Sequence, residues 1–310
     1  MHVHRGRTAC LVFALVCLVV SAAAADLPPT AQWGAGVLRP FNARVWGMGG
    51  ASTALADGAD CILANPASAV FLEGNQASFG LIQEELVTSL TMYDASASGS
   101  MDLSGWGIAY ASGAEESPGR RQGAGIVFVD AEETFGLPLK QLTFGGGSGS
   151  ETAAIGGTLD VWTFGAGYQA EYNLGVGALW RSPEGLSLGF NWDDALSSIE
   201  GVDLDVLTLG AAYERDRFTV AVDLHNATGT DFYGESALMA GVEARLDGGV
   251  ALRVGSMDGE MSYGLGYRGK DWAIDYAHLE VDGSEAIVPG LTMAVEDTFD
   301  FITFTYYWEK

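Results

Sequence analysis

Hydrophobic and polar positions along this chain alternate with a period of two, in segments of about ten residues rather than at helical spacing. In Phe218–Leu224, Phe218, Val220, Val222 and Leu224 fall on one face and Thr219, Ala221 and Asp223 on the other. Trp272, Ile274 and Tyr276 alternate with Ala273, Asp275 and Ala277, and Met261, Tyr263, Leu265 and Tyr267 with Ser262, Gly264, Gly266 and Arg268. Leu186, Leu188, Phe190 and Trp192 follow the same rule. The pattern predicts about fourteen strands, near 75–84, 86–94, 103–112, 123–131, 158–170, 172–181, 185–193, 204–215, 216–225, 235–246, 248–256, 260–269, 271–280 and 297–308. From the sixth onward, short turns (182–185, 214–217, 247–249, 268–271) alternate with longer connections (194–203, 226–234, 281–296), with 256–260 a short exception.

An even number of strands with short and long connections in alternation is the pattern of a membrane β-barrel. A soluble sandwich also alternates, but here the apolar face repeatedly carries Trp or Tyr: Trp106, Tyr110, Trp162, Tyr168, Trp180, Trp192, Tyr213, Tyr263, Tyr267, Trp272, Tyr276, Tyr306 and Trp308. Such amphipathic rings suit a lipid headgroup boundary. The expected fold is therefore all-β, a single transmembrane antiparallel barrel of about 14 strands over residues 75–310. The last strand, with Ile302, Phe304, Tyr306 and Trp308 on one face, fits a closing strand, although Glu309 and Lys310 follow the terminal aromatic. Residues 132–157 break the pattern. Gly145–Ser150 reads as flexible, and the stretch is either an excursion or a further strand at Leu139–Phe144.

Ahead of the barrel, Arg5 and Arg7, the apolar run Ala9–Val20 and Ala23–Ala25 form an export signal over residues 1–25. The run is too short to span a bilayer. Cys10 and Cys17 would leave with it, so Cys61 alone remains and neither a disulfide nor a multi-cysteine metal centre is expected. Of 15 Lys+Arg, 13 then remain against 40 Asp+Glu, a net charge of −27 that argues against nucleic acid as partner. With 48% hydrophobic residues the chain is nonetheless able to fold.

Between signal and barrel lies Val45-Trp-Gly-Met-Gly-Gly-Ala-Ser-Thr-Ala54. Gly47 and Gly49 begin a dinucleotide fingerprint, but its third glycine is replaced by Ser52 and no strand–helix alternation follows, so no nucleotide cofactor is expected. Ala51–Ala59 reads as a short helix, interrupted downstream at Asn65-Pro66-Ala67. The order of glycine cluster (Gly47, Gly49, Gly50), helix, Asn65-Pro66-Ala67 and first strand resembles the N-terminal segment of FadL-like outer-membrane barrels. Leu207–Tyr213, Ala251–Gly255, Tyr263–Tyr267 and Trp272–Ala277 resemble the smaller PorV/PorQ-like branch of that superfamily. The resemblance covers about 34–94 and 172–310. It implies a helical hatch over residues 26–74, bacterial outer-membrane location, and passage of a hydrophobic or amphipathic ligand. Its alternative is a type IX secretion role in which the barrel docks cargo or partner proteins.

The opposite strand face is small: Gly105, Gly107, Ala109, Gly165, Gly167, Gly175, Gly177, Gly189, Gly210, Gly264 and Gly266, leaving clearance for a hatch or a narrow lumen. It also carries Asp223, Glu243, Arg245, Arg253, Arg268 and Asp275, charges able to satisfy one another, to hold a plug or to line a polar path. Catalysis is not expected: His225 and His278 are the two histidines after the signal, on opposite faces, with no activated serine nearby. Asp193–Asp194 and Asp203/Asp205 offer oxygen ligands without a calcium-loop pattern, and read as solvated charge, so no metal is assigned.

Overall fold

The computed structural model describes residues 41–55, 57–92, 95–132, 138–164, 170–197, 205–228, 236–288 and 291–308. Fourteen antiparallel strands close into one barrel in which each pairs with its sequence neighbours and β1 pairs with β14. They are β1 Gly74–Met92, β2 Ala95–Ser117, β3 Arg120–Glu132, β4 Pro138–Gly149, β5 Ala153–Phe164, β6 Glu171–Arg181, β7 Leu186–Ser197, β8 Val206–Arg215, β9 Phe218–His225, β10 Ala237–Arg245, β11 Val250–Met257, β12 Glu260–Arg268, β13 Trp272–Val288 and β14 Leu291–Trp308. Closure removes the exposed edges that an open sheet of this size would present. Asn75 faces Trp308 across the closing pair, so the barrel begins and ends at one rim, where the tight turns 118–119, 182–185, 216–217 and 246–249 also lie. Asp216 at φ 52° and Gly119, Gly185, Gly248 and Gly249 supply the left-handed residues that these reversals need.

The expected number of strands is reached by a different partition. The segments 75–84 and 86–94 form one continuous strand, and the ambiguous stretch contributes β4. Gly145–Gly149 is therefore not a flexible linker: it is hydrogen-bonded on both sides, Gly145 opposite Gly125 and Thr158. A glycine run has no side-chain period, so the pattern is silent where the ladder is intact. Trp162 also departs from expectation. It is buried and points inward with Ala154, Thr158 and Asp160, while Ile155 and Leu159 face out. Tyr168, Gly165, Gly167 and Asp203 lie outside the described residues.

Exposed apolar side chains form a belt around the wall, including Phe79, Leu81, Ile108, Ile155, Leu174, Val176, Leu188, Leu252, Leu265, Ile302 and Phe304, with Trp106, Tyr110, Trp180, Trp192, Tyr263, Tyr267, Trp272 and Trp308 among them. On β6 it runs from Tyr172 to Trp180, at the lower end of the roughly 9–11 residues that a tilted barrel strand uses to cross a bilayer. On the tallest side, made by β13, β14, β1 and β2, the belt stops below the far rim. There Gln83, Glu85, Asp102, Ser104 and Glu280 are exposed on the outside, while Ile82, Leu279, Val281, Phe299 and Phe301 are buried on the inside. The wall inverts its polarity at this level.

Candidate functional site: the segment inside the barrel

The lumen is occupied by residues 41–72. Phe41, Ala43, Met48, Ala51, Ala59, Asn65, Ala67, Ala69 and Val70 have no exposed surface. Ala43–Trp46 is one helical turn, capped by Asn42 whose side chain accepts from the Arg44 amide at 2.9 Å. Cys61–Ala64 is another, and Pro66–Phe71 is a 3₁₀ helix with proline in its first turn. The helix expected over Ala51–Ala59 is not formed. Asp223 Oδ2 accepts from the amides of both Ser52 and Thr53 at 2.8 Å, which ties this stretch to β9 and leaves its backbone satisfied by the wall instead of by helical bonds.

All six residues singled out in this segment touch the wall. Gly47 packs so closely on β12 that a Cβ there would stand 2.9 Å from the Gly264 Cα. Gly49 and Gly50 adopt φ of 68° and 84°, conformations other residues rarely take, and the Gly49 amide donates to Ser262 Oγ at 3.1 Å. Asn65 is a clamp: its Nδ2 donates to the carbonyls of Thr53 (2.9 Å) and Ala178 on β6 (3.0 Å), while its Oδ1 accepts from the Ala67 amide. Pro66 and Ala67 lie against Gly156 on β5. The small inward residues are the counterpart of this fit. A Cβ at Gly107 would approach the Phe41 ring to 2.7 Å, one at Gly210 would meet Thr53 Cβ at 2.9 Å, and Gly123, Gly177, Gly189, Gly241 and Gly255 face segment atoms in the same way.

Charges complete the seat. Glu243, wholly buried on β10, accepts from Arg44 Nε at 2.8 Å and Nη2 at 3.1 Å, from Arg245 Nε at 2.7 Å and from Arg253 Nε at 2.6 Å. Arg44 also pairs with Asp57 at 2.6 Å, and Arg253 with Asp275 at 2.7 Å. Four of the six wall charges expected in the lumen thus belong to one network, whose fifth anchor, Arg44, sequence patterning missed because it stands outside any strand. Asp223 acts separately, on Ser52 and Thr53. Arg268 lies over the Tyr307 ring at 4.4 Å and borders a cavity of about 280 Å³ together with Arg44, Asp57, Glu243, Arg253 and Asp275. This polar cavity opens near the short-turn rim, at Gly249 and Gly269.

On the other side of the segment an apolar cluster lines the part of the wall made by β13, β14, β1 and β3. Trp46 stacks on Phe301 at 5.1 Å, Phe301 on Phe299 at 6.1 Å, and Ile82, Val127, Val129, Leu279 and Met257 belong to the same buried cluster. Arg121 holds the segment's exit, donating to the carbonyls of Val70 and Leu72 at 3.0 Å each.

Asp60 is expected to make the seat pH-sensitive. Burial pushes the Asp60 carboxyl up to about 6, against the opposing hydrogen bond from Asn42 Nδ2 at 3.1 Å; its Oδ2 has no hydrogen-bond partner among the described residues. A carboxyl raised above its unfolded value favours the seated state while protonated, so this contribution is full below about pH 4 and is lost as pH rises through about 6. Asp60→Asn is expected to remove a pH dependence of roughly 2–3 kcal/mol between pH 4 and 8. Amide exchange of residues 41–72, corrected for intrinsic rates, checks it; equal slopes in the two proteins would exclude Asp60 as the source.

Fourteen strands, a girdle of apolar and aromatic side chains and a filled interior define a closed, plugged antiparallel β-barrel. Solved structures with a similar fold include transporters and channels. The Pseudomonas putida toluene transporter TodX aligns with a TM-score of 0.67 at 13% identity, over 86% of this chain and 98% of that one. A Pseudomonas aeruginosa FadL homologue gives 0.57 at 11% identity over 86% and 98%, and the Ralstonia pickettii toluene transporter TbuX 0.52 at 12% over 88% and 99%. At these identities the likeness is one of fold. No protein-family model and no curated protein matches the chain.

Proposed function

We propose that the chain is a non-enzymatic channel of the bacterial outer membrane that passes a hydrophobic or amphipathic ligand, with residues 41–72 as its gate. The observation that carries this reading is the inversion of the wall. Beyond the lipid-facing belt, polar residues face out and Ile82, Leu279, Val281, Phe299 and Phe301 face in, giving an apolar ligand a lining that water-filled porins lack. The segment separates this lining from the charged cavity at the short-turn rim, so a ligand crossing the barrel must displace or pass it. The structural neighbours are described as toluene and monoaromatic hydrocarbon channels, which fits an apolar cargo. Residues 1–25 act in this reading as the export signal, and membrane lipid is the partner of the belt. A docking role in secretion would rest on the connections at the far rim, and 198–204 and 229–235 lie outside the described residues.

The test is uptake of a labelled monoaromatic hydrocarbon and of a sugar of similar size by cells that carry the barrel in a lipopolysaccharide-covered outer membrane, measured above cells without it, because a phospholipid bilayer alone passes a small hydrocarbon. The intact barrel is expected to pass the hydrocarbon and exclude the sugar, whereas a barrel lacking residues 34–70 passes both. Absence of hydrocarbon passage by either protein would overturn the proposal.

A further inference from the structure

The geometry points to a divalent-cation site inside the wall, built by β5, β6 and β7, that no part of the channel reading requires. Asp160 on β5 and Asp193 and Asp194 on β7 each offer a carboxylate oxygen within 4.8 Å of the others, although 33 residues separate Asp160 from Asp193 in sequence. Two consecutive aspartates ordinarily face opposite sides of a sheet. Here the β6–β7 register shifts between Leu174 and Val176, and Asp194 takes φ of 51°, so that both carboxylates join Asp160. Asp160 and Asp194 are only 1% and 3% exposed.

A second observation points independently to a ligand. Asn173 on β6 is 2% exposed, its buried Oδ1 has no hydrogen-bond partner among the described residues, and it stands directly opposite Asp160 across the β5–β6 pair. Two positions along the same face of β6, a Cβ on Gly175 would lie 3.2 Å from Asp193 Oδ1. The cluster therefore shares the inward face of the wall with Asn173 and Gly175, and the buried Asn173 amide stands beside its Asp160 member. An unsatisfied buried acceptor is costly, and so is like charge held in a low-dielectric wall; a hard cation relieves both. Three carboxylates and an amide oxygen are hard donors of the kind that Ca²⁺ takes, with water completing six to eight ligands. Gln141 Nε2 donates to Asp160 Oδ1 at 2.9 Å and Thr143 Oγ1 donates to the same oxygen, orienting the carboxylate from behind. The irregular set, drawn from three strands and a bulge, suits Ca²⁺ better than the strict octahedron of Mg²⁺. The bound ion would brace the wall where the bulge interrupts the ladder.

Terbium is a suitable probe, because Trp162 lies two residues from Asp160 on the same inward face and Trp192 adjoins Asp193. The full barrel, purified in detergent and stripped with a chelator, is titrated with Tb³⁺ under tryptophan excitation. Saturable luminescence is expected, displaced by Ca²⁺ at concentrations at least about tenfold lower than by Mg²⁺. Ca²⁺ is also expected to raise the thermal unfolding midpoint of the stripped protein. Asp160→Asn and Asp194→Asn should each weaken Ca²⁺ by roughly tenfold or more and abolish the shift. Asp216→Asn, in an exposed turn at the opposite rim, should change neither. If the buried variants fail to assemble, half-buried Asp193→Asn serves in their place. Absence of luminescence and shift, or the same response in the Asp160, Asp193 and Asp194 variants as in the parent, would overturn the site and assign the binding to surface acids.

Discussion

Glu243→Gln is expected to unseat residues 41–72 while leaving the strand ladder assembled. The carboxylate stands at the centre of three guanidinium groups, two from the wall and one from the segment. Removing its charge strands buried cations, and breaking such a pair from one side costs about 3–5 kcal/mol. The wall arginines keep other partners, Arg253 with Asp275 and Arg245 with Glu214. Among the described residues Arg44 keeps Asp57, itself part of the segment, so its tie to the wall is what fails. Trypsin reads this directly, since Arg44 is a cleavage site sealed at 8% exposure. Cleavage after Arg44 should accelerate on the order of 10²-fold or more if the loss falls on the seating equilibrium, while the heat-modifiable gel mobility of the folded barrel persists. A double cycle with Arg44→Ala, read by amide exchange of residues 45–50 because that variant lacks the cleavage site, separates the pair energy from side effects, and the second substitution should add little once the first is made. Unchanged cleavage in Glu243→Gln would mean that the network serves the wall alone.

The barrel was legible in the sequence because an apolar outer face and a small-lined lumen impose opposite chemistry on alternate residues. Phe218–Leu224 and Trp272–Ala277 each carry that contrast in full. Where the contrast fades, so did the reading. Gly145–Gly149 has no side chains to alternate, yet it is a strand because Ile62 and the neighbouring strands leave no room for any: a Cβ at Gly145 would already stand 3.1 Å from Ile62 Cβ. Trp162 was placed in the lipid-facing set on its residue type, but the phase of β5 turns it inward beside Asp160. The polarity inversion was visible in principle. Along β13 the apolar stripe passes from Trp272, Ile274 and Tyr276 to Ala277, Leu279 and Val281, a one-residue shift of phase with no shift of register.

The interior segment was less legible for a physical reason. Its conformation is set by bonds to the wall more than by local propensity: Asp223 takes the amides of Ser52 and Thr53, Thr303 Oγ1 takes the Ala43 amide and donates to the Phe41 carbonyl, and Asn65 spans Thr53 and Ala178. Partners 113 to 260 residues away leave no local trace. The acids at Asp193 and Asp194 were read as solvated charge because their companion Asp160 arrives only through the β5–β6–β7 pairing, and because a bulge, invisible to a period-two pattern, turns both to one side.

Gly241→Val should displace the stretch around Met48, whereas Gly157→Val should be silent. Both glycines lie mid-strand, so loss of backbone flexibility does not distinguish them. A Cβ at Gly241 would press on the backbone of Met48, within 2.6 Å of its Cα, and a backbone cannot rotate aside as a side chain can. At outward-facing Gly157 the nearest atom is the Gly175 carbonyl oxygen at 3.4 Å. Overpacking of a close contact costs about 1–3 kcal/mol where neighbours relax. Here the wall is a closed hydrogen-bonded ring and the segment is held by a few clamps, so the segment yields first. Its protection depends on bonds such as Gly47 N to Ala43 O at 2.9 Å and Gly49 N to Ser262 Oγ at 3.1 Å. Exchange of the 45–50 amides is expected to quicken by about tenfold or more in Gly241→Val, with β9–β11 still protected and Gly157→Val matching the parent. If exchange quickens instead along β10 and β11, the wall is the softer partner, and a gate that moves against a rigid barrel is the wrong picture.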